Sequence, residues 1–393
     1  MKILLASDWY APVVNGVVTS VLNLKKGLEE KGHEVKVVTL SPTTKSYVDG
    51  DVTYIGSANA GFVYPNARIR IKKSTEEIKE LIRWQPDVVH TNCEMSTFLI
   101  ARKIAKILNI PVVHTYHTVY EDYTNYFSPS KKVGVKLVAV FSKKIAQKTD
   151  CVIVPSAKVS ALLKNYGVEQ PIHVVPTGIE PKGIIDDPQK TKEIRNQLNI
   201  PQDHIVLVYL GRMAKEKNCI ELLDMFSQCK SDKITLVMVG DGPYKKNIEE
   251  HVEEIGLSGK VIFTGMVSPK EVGYYYHLGD VFVSASTSET QGLTYYEALF
   301  AGRPMLCKKD EALDGIVEEN VNGWLFTNAE EFTQAIDRIN SNPDILEAMS
   351  KKSLEIVAKY SVDNFATSIE TIYKSYVKSE ETRTLETNVL NGE

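Results

Sequence analysis

The chain has 393 residues, 43% hydrophobic and 24% charged, with a formal net charge of −4. This is the composition of a water-soluble globular protein, and the length asks for two domains rather than one core. No apolar run approaches the ~20 residues of a membrane-spanning helix, and five scattered cysteines without a CxxC pair argue against a disulfide framework or a zinc site.

The opening segment MKILLASDWY meets Asp8 too early for a signal-peptide core and reads as a buried first strand over 2–7. Periodicity then predicts a helix over 17–31, a strand over 34–40, and a helix near 74–83. A strand at 87–91, a helix over 96–108 and a strand over 111–117 follow. A long helical stretch from 130 to 148 leads to a strand at 151–155. Strands separated by helices of this length indicate βαβ units and a parallel sheet. Residues 1–180 are therefore read as a first domain.

The polar segment 181–203, with Asp186-Asp187-Pro188 and Pro201, breaks the rhythm and is expected to link two domains. A second alternation spans 204–361, with short apolar runs at 205–211, 233–240, 260–265 and 280–286. The fold class is thus α/β with two doubly wound, Rossmann-like domains. In such sheets ligands bind beyond the C-terminal strand ends. A last helix over 362–378 is expected to pack back on the first domain, and the polar tail 379–393 to be disordered.

Charge divides unevenly. Residues 1–180 carry 23 Lys+Arg against 16 Asp+Glu, a balance of +7, whereas 181–393 carry 23 against 34, a balance of −11. Different partners for the two halves are implied. No recognisable nucleic-acid motif accompanies the basic half, so no nucleic-acid partner is expected.

Chemistry collects at the strand ends of the second half. The segment Thr287–Ala298 holds Glu289 and Glu297 with Gly292 between them and an apolar helix following. The amides of Gly292, Leu293 and Thr294 then lie where a helix N-terminus can receive a phosphate. Upstream, Gly211-Arg212-Met213-Ala214-Lys215-Glu216-Lys217-Asn218 places Arg212 and Lys217 five apart, both able to face a diphosphate. Gly240, in Val239-Gly240-Asp241-Gly242-Pro243, and Met266, after Gly265, suit close approach of a nucleotide base to backbone. In the first half, Gly16 opens a helix after a strand exit without completing GxGxxG. His114-Thr115-Tyr116-His117 ends another strand, and His117 is the histidine nearer the end. Asp49-Gly50-Asp51 reads as a turn rather than a metal-binding DxD.

Taken in order, the Gly16 loop, HTYHT, VVPTGIE, GRMAKEKN, VGDGP, FTG and SETQGLTYYEALFAGRP resemble the retaining glycosyltransferases of the GT-B fold, group 1 or family 4, over residues 1 to about 378. The resemblance implies two domains facing across a cleft and a nucleotide-sugar donor, by family habit UDP-glucose. It assigns Glu289 to the donor sugar, Glu297 to the ribose, and Arg212 and Lys217 to the diphosphate. Gly292, Leu293 and Thr294 would add backbone amides, Gly16 close approach to the donor, and His117 a contact near the reacting sugar. Glu289, His117, Arg212 and Lys217 are the expected catalytic set. Cations and amides at the leaving group make a metal unnecessary on this reading, and no cofactor is expected.

The acceptor is a separate question. Lys131, Lys132, Lys136, Lys143 and Lys144 lie among Val, Leu, Phe and Ile in a stretch with no acid between Asp122 and Asp150. Arg68 and Arg70 alternate with hydrophobes just upstream. Both suit an anionic membrane surface. HTYHTVYEDYTNY with a basic helix after it looks like the diacylglycerol glucosyltransferases of Gram-positive and wall-less bacteria. That implies a lipid acceptor and a place on the inner face of the cell membrane. A transferase with a soluble acceptor and a non-catalytic sugar-nucleotide-binding subunit are the alternatives. The base, the hexose, the linkage position and the oligomeric state stay open at this level.

Overall fold

A computed structural model describes residues 1–61, 67–72, 75–121, 130–180 and 184–377. The expected disordered tail lies outside these residues. The chain forms two compact units, Met1–Gly178 with Val362–Glu393, and Ile179–Ser361.

In the first unit the order is β1 (Lys2–Ala6), α1 (Gly16–Glu30), β2 (Glu34–Leu40), β3 (Tyr47–Asp49), β4 (Val52–Ile55), β5 (Ser57–Asn59), β6 (Arg68–Arg70) and α2 (Glu76–Trp84). Then come β7 (Val88–Thr91), α3 (Ser96–Leu108), β8 (Val112–Thr115), α4 (Lys131–Ala146), β9 (Cys151–Val154), α5 (Ala157–Asn165) and β10 (Ile172–Val174). Among the described residues the main sheet runs β10-β9-β8-β7-β1-β2-β4-β3, and β5 pairs β6 apart from it. Only β3 in the main sheet is antiparallel, in a hairpin whose turn is Asp49-Gly50-Asp51, as expected. Every residue of β7, β8 and β9 is buried, as strands covered by helices on both faces require. Sequence order reverses at β1, between β2 and β7.

The second unit holds α6 (Pro188–Gln197), β11 (Ile205–Leu210), α7 (Cys219–Phe226), β12 (Ile234–Val239), α8 (Lys245–Glu254), β13 (Val261–Gly265) and α9 (Val272–Leu278). After these come β14 (Val281–Ser284), α10 (Leu293–Phe300), β15 (Met305–Lys308), β16 (Gly323–Phe326), α11 (Ala329–Ser341) and α12 (Ile345–Val357). Its sheet is parallel, β13-β12-β11-β14-β15-β16, and reverses between β11 and β14. Both units are thus doubly wound and Rossmann-like, and ligand crevices are expected beyond β1/β7 and beyond β11/β14.

One expectation needs correction. Segment 181–203 is not a bare linker. Asp187 accepts the Lys190 N–H and Pro188 occupies the first helical turn, so Asp-Asp-Pro starts α6 rather than breaking the chain. α6 packs on α9, and Ile194 and Ile200 enter the second unit's core.

The last helix, α13 (Val362–Tyr376), returns to the first unit. Phe365, Ala366, Ile369, Ile372 and Tyr373 join Ile3, Leu5, Val21, Leu24 and Val113 in one core. Gly27 makes this approach possible: a Cβ there would lie 2.7 Å from the Ala366 Cβ. Lys31–Asp363 and His33–Glu370 tie the same face.

Candidate active site

In the second unit, the loops leaving β11 and β14 meet at the point where strand order reverses. Lys217 ends a short 3-10 turn, and its Nζ donates to Glu289 Oε1 at 2.6 Å. Glu289 Oε1 also accepts the Ser286 hydroxyl at 2.9 Å. Two neighbours staple the loops: Asn218 Nδ2 donates to the Ala285 carbonyl at 3.2 Å, and the Ser288 hydroxyl to the Glu216 carbonyl at 3.0 Å. Lys217 and Glu289 are each only 18% exposed, which makes the pair firmer than a solvated surface bridge. Arg212, the other expected phosphate-facing cation, pairs instead with Glu216 one helical turn on and stays 40% exposed.

Gly292 precedes α10 in a left-handed conformation (φ 74°), and a Cβ there would sit 2.5 Å from the Tyr295 ring. Only glycine fits both demands. The amides of Leu293 and Thr294, in the first turn, have no acceptor within the helix and lie at its positive end, as predicted. Glu297 lies one turn further in. The Tyr276 hydroxyl, from α9, donates to Glu297 Oε2 at 2.6 Å. Burial pushes the Glu297 carboxyl up to about 7, against the opposing pull of Tyr276.

Gly240 has a different local reason from the one expected. A Cβ on it would meet the Gly211 carbonyl at 2.1 Å, and one on Gly242 the Met213 carbonyl at 2.2 Å. These glycines let the protein's own strand-end loops touch. Met266 is 73% exposed just after β13.

In the first unit Gly16 is the first residue of α1, and Asn15 caps that helix by accepting the Val18 N–H at 2.9 Å. β8 ends at Thr115, so His117 lies in the loop beyond it, not in the strand as expected. Its Nε2 pairs with Asn92 Oδ1 at 3.0 Å, and burial lowers its pKa to about 4. His117 is therefore neutral near pH 7.

Of the expected membrane contacts, Lys132, Lys136 and Lys144 are exposed on α4. Lys143 is engaged by Glu169 at 3.2 Å, and the Lys131 side chain falls outside the described residues. Arg68 turns inward: its Nε donates to the Ser57 hydroxyl at 2.6 Å and its Nη2 to the Ser57 carbonyl at 3.1 Å. It is a strut of the β5–β6 hairpin and not a free surface cation. Arg70 is half-buried, with its backbone N–H on the Ser96 hydroxyl. Among the described residues no helix is long and apolar enough to cross a membrane, and no group of three or more His, Cys, Asp or Glu is placed to hold a metal ion.

Several partners escaped the sequence reading. Glu216 stands four residues after Arg212, the spacing at which opposite charges meet on a helical turn. Tyr276 had no local signal, because its partner is distant in sequence. Asn92 and Glu94 follow β7 as His117 follows β8, so the strand-end rule that selected His117 would have selected them.

Comparison with known proteins places this geometry in context. The profile "Glycosyltransferase Family 4" matches residues 14–182 and "Glycosyl transferases group 1" matches 190–356. The chain is 35% identical to the alpha-monoglucosyldiacylglycerol synthase of Streptococcus pneumoniae over 382 residues, covering 95% of this chain and 85% of the other. To the synthase of the same name from Acholeplasma laidlawii it is 32% identical over 390 residues, covering 95% and 96%. The crystal structure of Anabaena HepE in complex with UDP superposes with a TM-score of 0.74 at 17% identity, covering 95% of this chain and all of that one, which is a likeness of fold.

Proposed function

Because the chain belongs to the family 4, group 1 glycosyltransferases and is an enzyme of the GT-B fold, we propose that it transfers glucose from UDP-glucose to diacylglycerol at an anionic membrane surface, with retention at the anomeric carbon. What carries the lipid half is the outer face of α4. Val133, Leu137 and Val140 are 53%, 56% and 53% exposed, and fall on one side of the helix. Lys132 and Lys136 flank them on one edge, and Lys144 follows Val140 one turn further along the same line. An acceptor free in solution would need no such face. Seating it in a lipid headgroup layer would contribute ~1 kcal/mol per partly buried apolar side chain and ~1 kcal/mol per lysine over anionic lipid. The names of the two bacterial relatives support the same acceptor.

On the donor side, Lys217 and Arg212 would take the charge that grows on the departing diphosphate, with the α10 amides of Leu293 and Thr294. Reaching that diphosphate requires Arg212 to turn from Glu216. Glu289 would accept hydroxyls of the sugar and Glu297 the ribose diol. Gly16, Gly240 and Met266 remain assigned to the donor's surroundings and His117 to the reacting sugar. UDP-glucose is alpha-linked, so an alpha product means retention. The acceptor oxygen would attack carbon 1 on the face the diphosphate leaves. One carbon–oxygen bond breaks, another forms, and the acceptor proton passes to the released phosphate oxygen. No metal is required, since preorganised cations supply the charge.

The test is transfer from radiolabelled UDP-, GDP- and ADP-sugars to diacylglycerol in anionic and in zwitterionic vesicles. We expect an alpha-glucosyl lipid from UDP-glucose, formed faster on anionic vesicles. Transfer confined to a soluble alcohol, or donor hydrolysis without lipid product, would overturn the lipid reading.

A further inference from the structure

The first unit has its own strand-order reversal, between β1 and β7, and a polar cluster gathers beyond it. Asp8, just after β1, accepts the N–H groups of Ser96 and Thr97 at 3.1 and 2.7 Å. That cap fixes the start of α3 and so the preceding loop, Asn92-Cys93-Glu94-Met95. Glu94 is 7% exposed. It accepts the Tyr120 hydroxyl, and its Oε1 lies 3.5 Å from His114 Nε2. His114 Nδ1 pairs with the Thr91 hydroxyl at 2.8 Å.

Among the described residues three buried polar atoms in this cluster have no hydrogen-bond partner: Asn92 Nδ2, Thr97 Oγ1 and His114 Nε2. Asn92 is 3% exposed and His114 1%. His114 Nε2 is at least turned toward Glu94; the Asn92 amide is not so placed. Its oxygen serves His117, and flipping it would only exchange which end is left over. A buried amide with one idle end is costly unless something else engages it.

The cluster also lies directly under the basic helix. The Tyr116 hydroxyl meets the Ser142 hydroxyl at 2.9 Å, and the Tyr120 ring packs edge-on against Phe141. Ser142 and Phe141 belong to α4; Ser142 lies opposite the exposed Val133, Leu137 and Val140, and Phe141 at the side of that stripe. One helix thus has the lysine-flanked apolar stripe outside and the Tyr116–Tyr120–Glu94 group inside.

Resting on the lipid-acceptor reading above, we propose that Asn92 and Glu94 form the acceptor subsite. Glu94 takes the hydrogen bond of the attacking primary hydroxyl, and Asn92 Nδ2 donates to the oxygen on the neighbouring carbon. Tyr120 is a positioning residue that aims Glu94. The occupant is a glycerol-type alcohol with an oxygen next to the reacting carbon, which is what diacylglycerol presents. A simple long-chain alcohol lacks that oxygen and leaves Asn92 idle.

Asn92→Asp keeps an acceptor for His117 and replaces the amide donor by a carboxylate oxygen, and Asn92→Ser removes the amide without adding a charge, so the two together test the subsite. Transfer is measured to diacylglycerol and to a 3-hydroxypropyl ester without the second oxygen, alongside Glu94→Gln, Tyr120→Phe and Asn92→Ser. We expect the wild type to prefer diacylglycerol. Asn92→Asp should raise the KM for diacylglycerol roughly tenfold or more and erase that preference, while the KM for the nucleotide sugar stays within about twofold. Glu94→Gln should raise the KM for both alcohols. Thermal melts identify any variant that fails to fold, and Asn92→Ser then stands in. A wild-type KM and preference in both Asn92→Asp and Asn92→Ser overturns the subsite. If the wild type makes no glycolipid, the lipid reading fails instead, and the same variants are scored on the alcohol it does glycosylate. An unchanged acceptor KM there overturns the subsite too.

Discussion

Lys217 Nζ lies 2.6 Å from Glu289 Oε1 across 72 residues of sequence, joining the loops beyond β11 and β14. The proposed roles put the lysine on the diphosphate and the carboxylate on the sugar, so this contact aligns the two ends of the bond that breaks. Lys217→Ala and Glu289→Ala should each lower kcat/KM for UDP-glucose by ~100-fold or more, the range for one preorganised charge at a developing anion. Because each residue orients the other, the double variant should lose far less than the product of the two. Initial rates over a range of donor concentrations decide this. Fully multiplicative losses would mean that the pair does not act as a unit.

The ribose role proposed for Glu297 would give donor binding a pH dependence with a definite sign. Burial raises its carboxyl to about 7. The ionised form accepts from both hydroxyls of a ribose diol, whereas the protonated form must use one oxygen as a donor. The KM for UDP-glucose should therefore fall as pH rises from 6 to 8, and Glu297→Gln should flatten that slope. The Tyr276 hydroxyl favours the ionised form. Tyr276→Phe should move the profile to higher pH, a shift that loss of packing alone would not produce. His117, already neutral above about 4, should add no limb between pH 6 and 8.

Membrane binding, on the reading given to α4, has two separable parts. Replacing Val133, Leu137 and Val140 by serine should weaken vesicle binding at every salt concentration. Replacing Lys132, Lys136 and Lys144 by glutamine should remove mainly the part that salt screens, because exposed charges lose most of their reach beyond a Debye length of ~8 Å. Flotation on anionic vesicles at low and high salt distinguishes the two. Equal salt dependence in both variants would count against a lipid-facing α4.

Much of this architecture could be read from residue order alone. The strands that nucleate the two sheets are short apolar runs between helices, and helix α3 falls on its predicted bounds at 96 and 108. The loops beyond β11 and β14 were legible because Arg212 and Lys217 form one short cluster, and Glu289, Gly292 and Glu297 another, each following a strand end. What stayed hidden depends on distance. Tyr276 meets Glu297 only after α9 and α10 fold, and Glu94 meets Tyr120 and His114 only when β7 and β8 align. Segment 181–203 misled because its acidic cap and proline resemble a breaker until α9 supplies a partner for Ile194. Arg68 misled because charge alone does not say which way a side chain turns.

The return of α13 to the first unit rests on one small residue. Gly27 lies within α1, one turn before its end, where alanine would ordinarily favour the helix by up to ~1 kcal/mol. Here an added methyl would lie 2.7 Å from the Ala366 Cβ and 3.0 Å from a Val362 methyl, so α13 must move away. Overpacking of this kind costs ~1–3 kcal/mol. Gly27→Ala should therefore destabilise the first unit against the propensity trend, and Gly27→Leu more so. Ala366→Gly removes the opposing methyl and should recover most of the loss in the Gly27→Ala background, though not beside Gly27→Leu. Thermal or urea unfolding followed with one probe in each unit is the measurement, because two units need not melt together. A Gly27→Ala protein as stable as the wild type would mean that α1 and α13 are not held at this spacing.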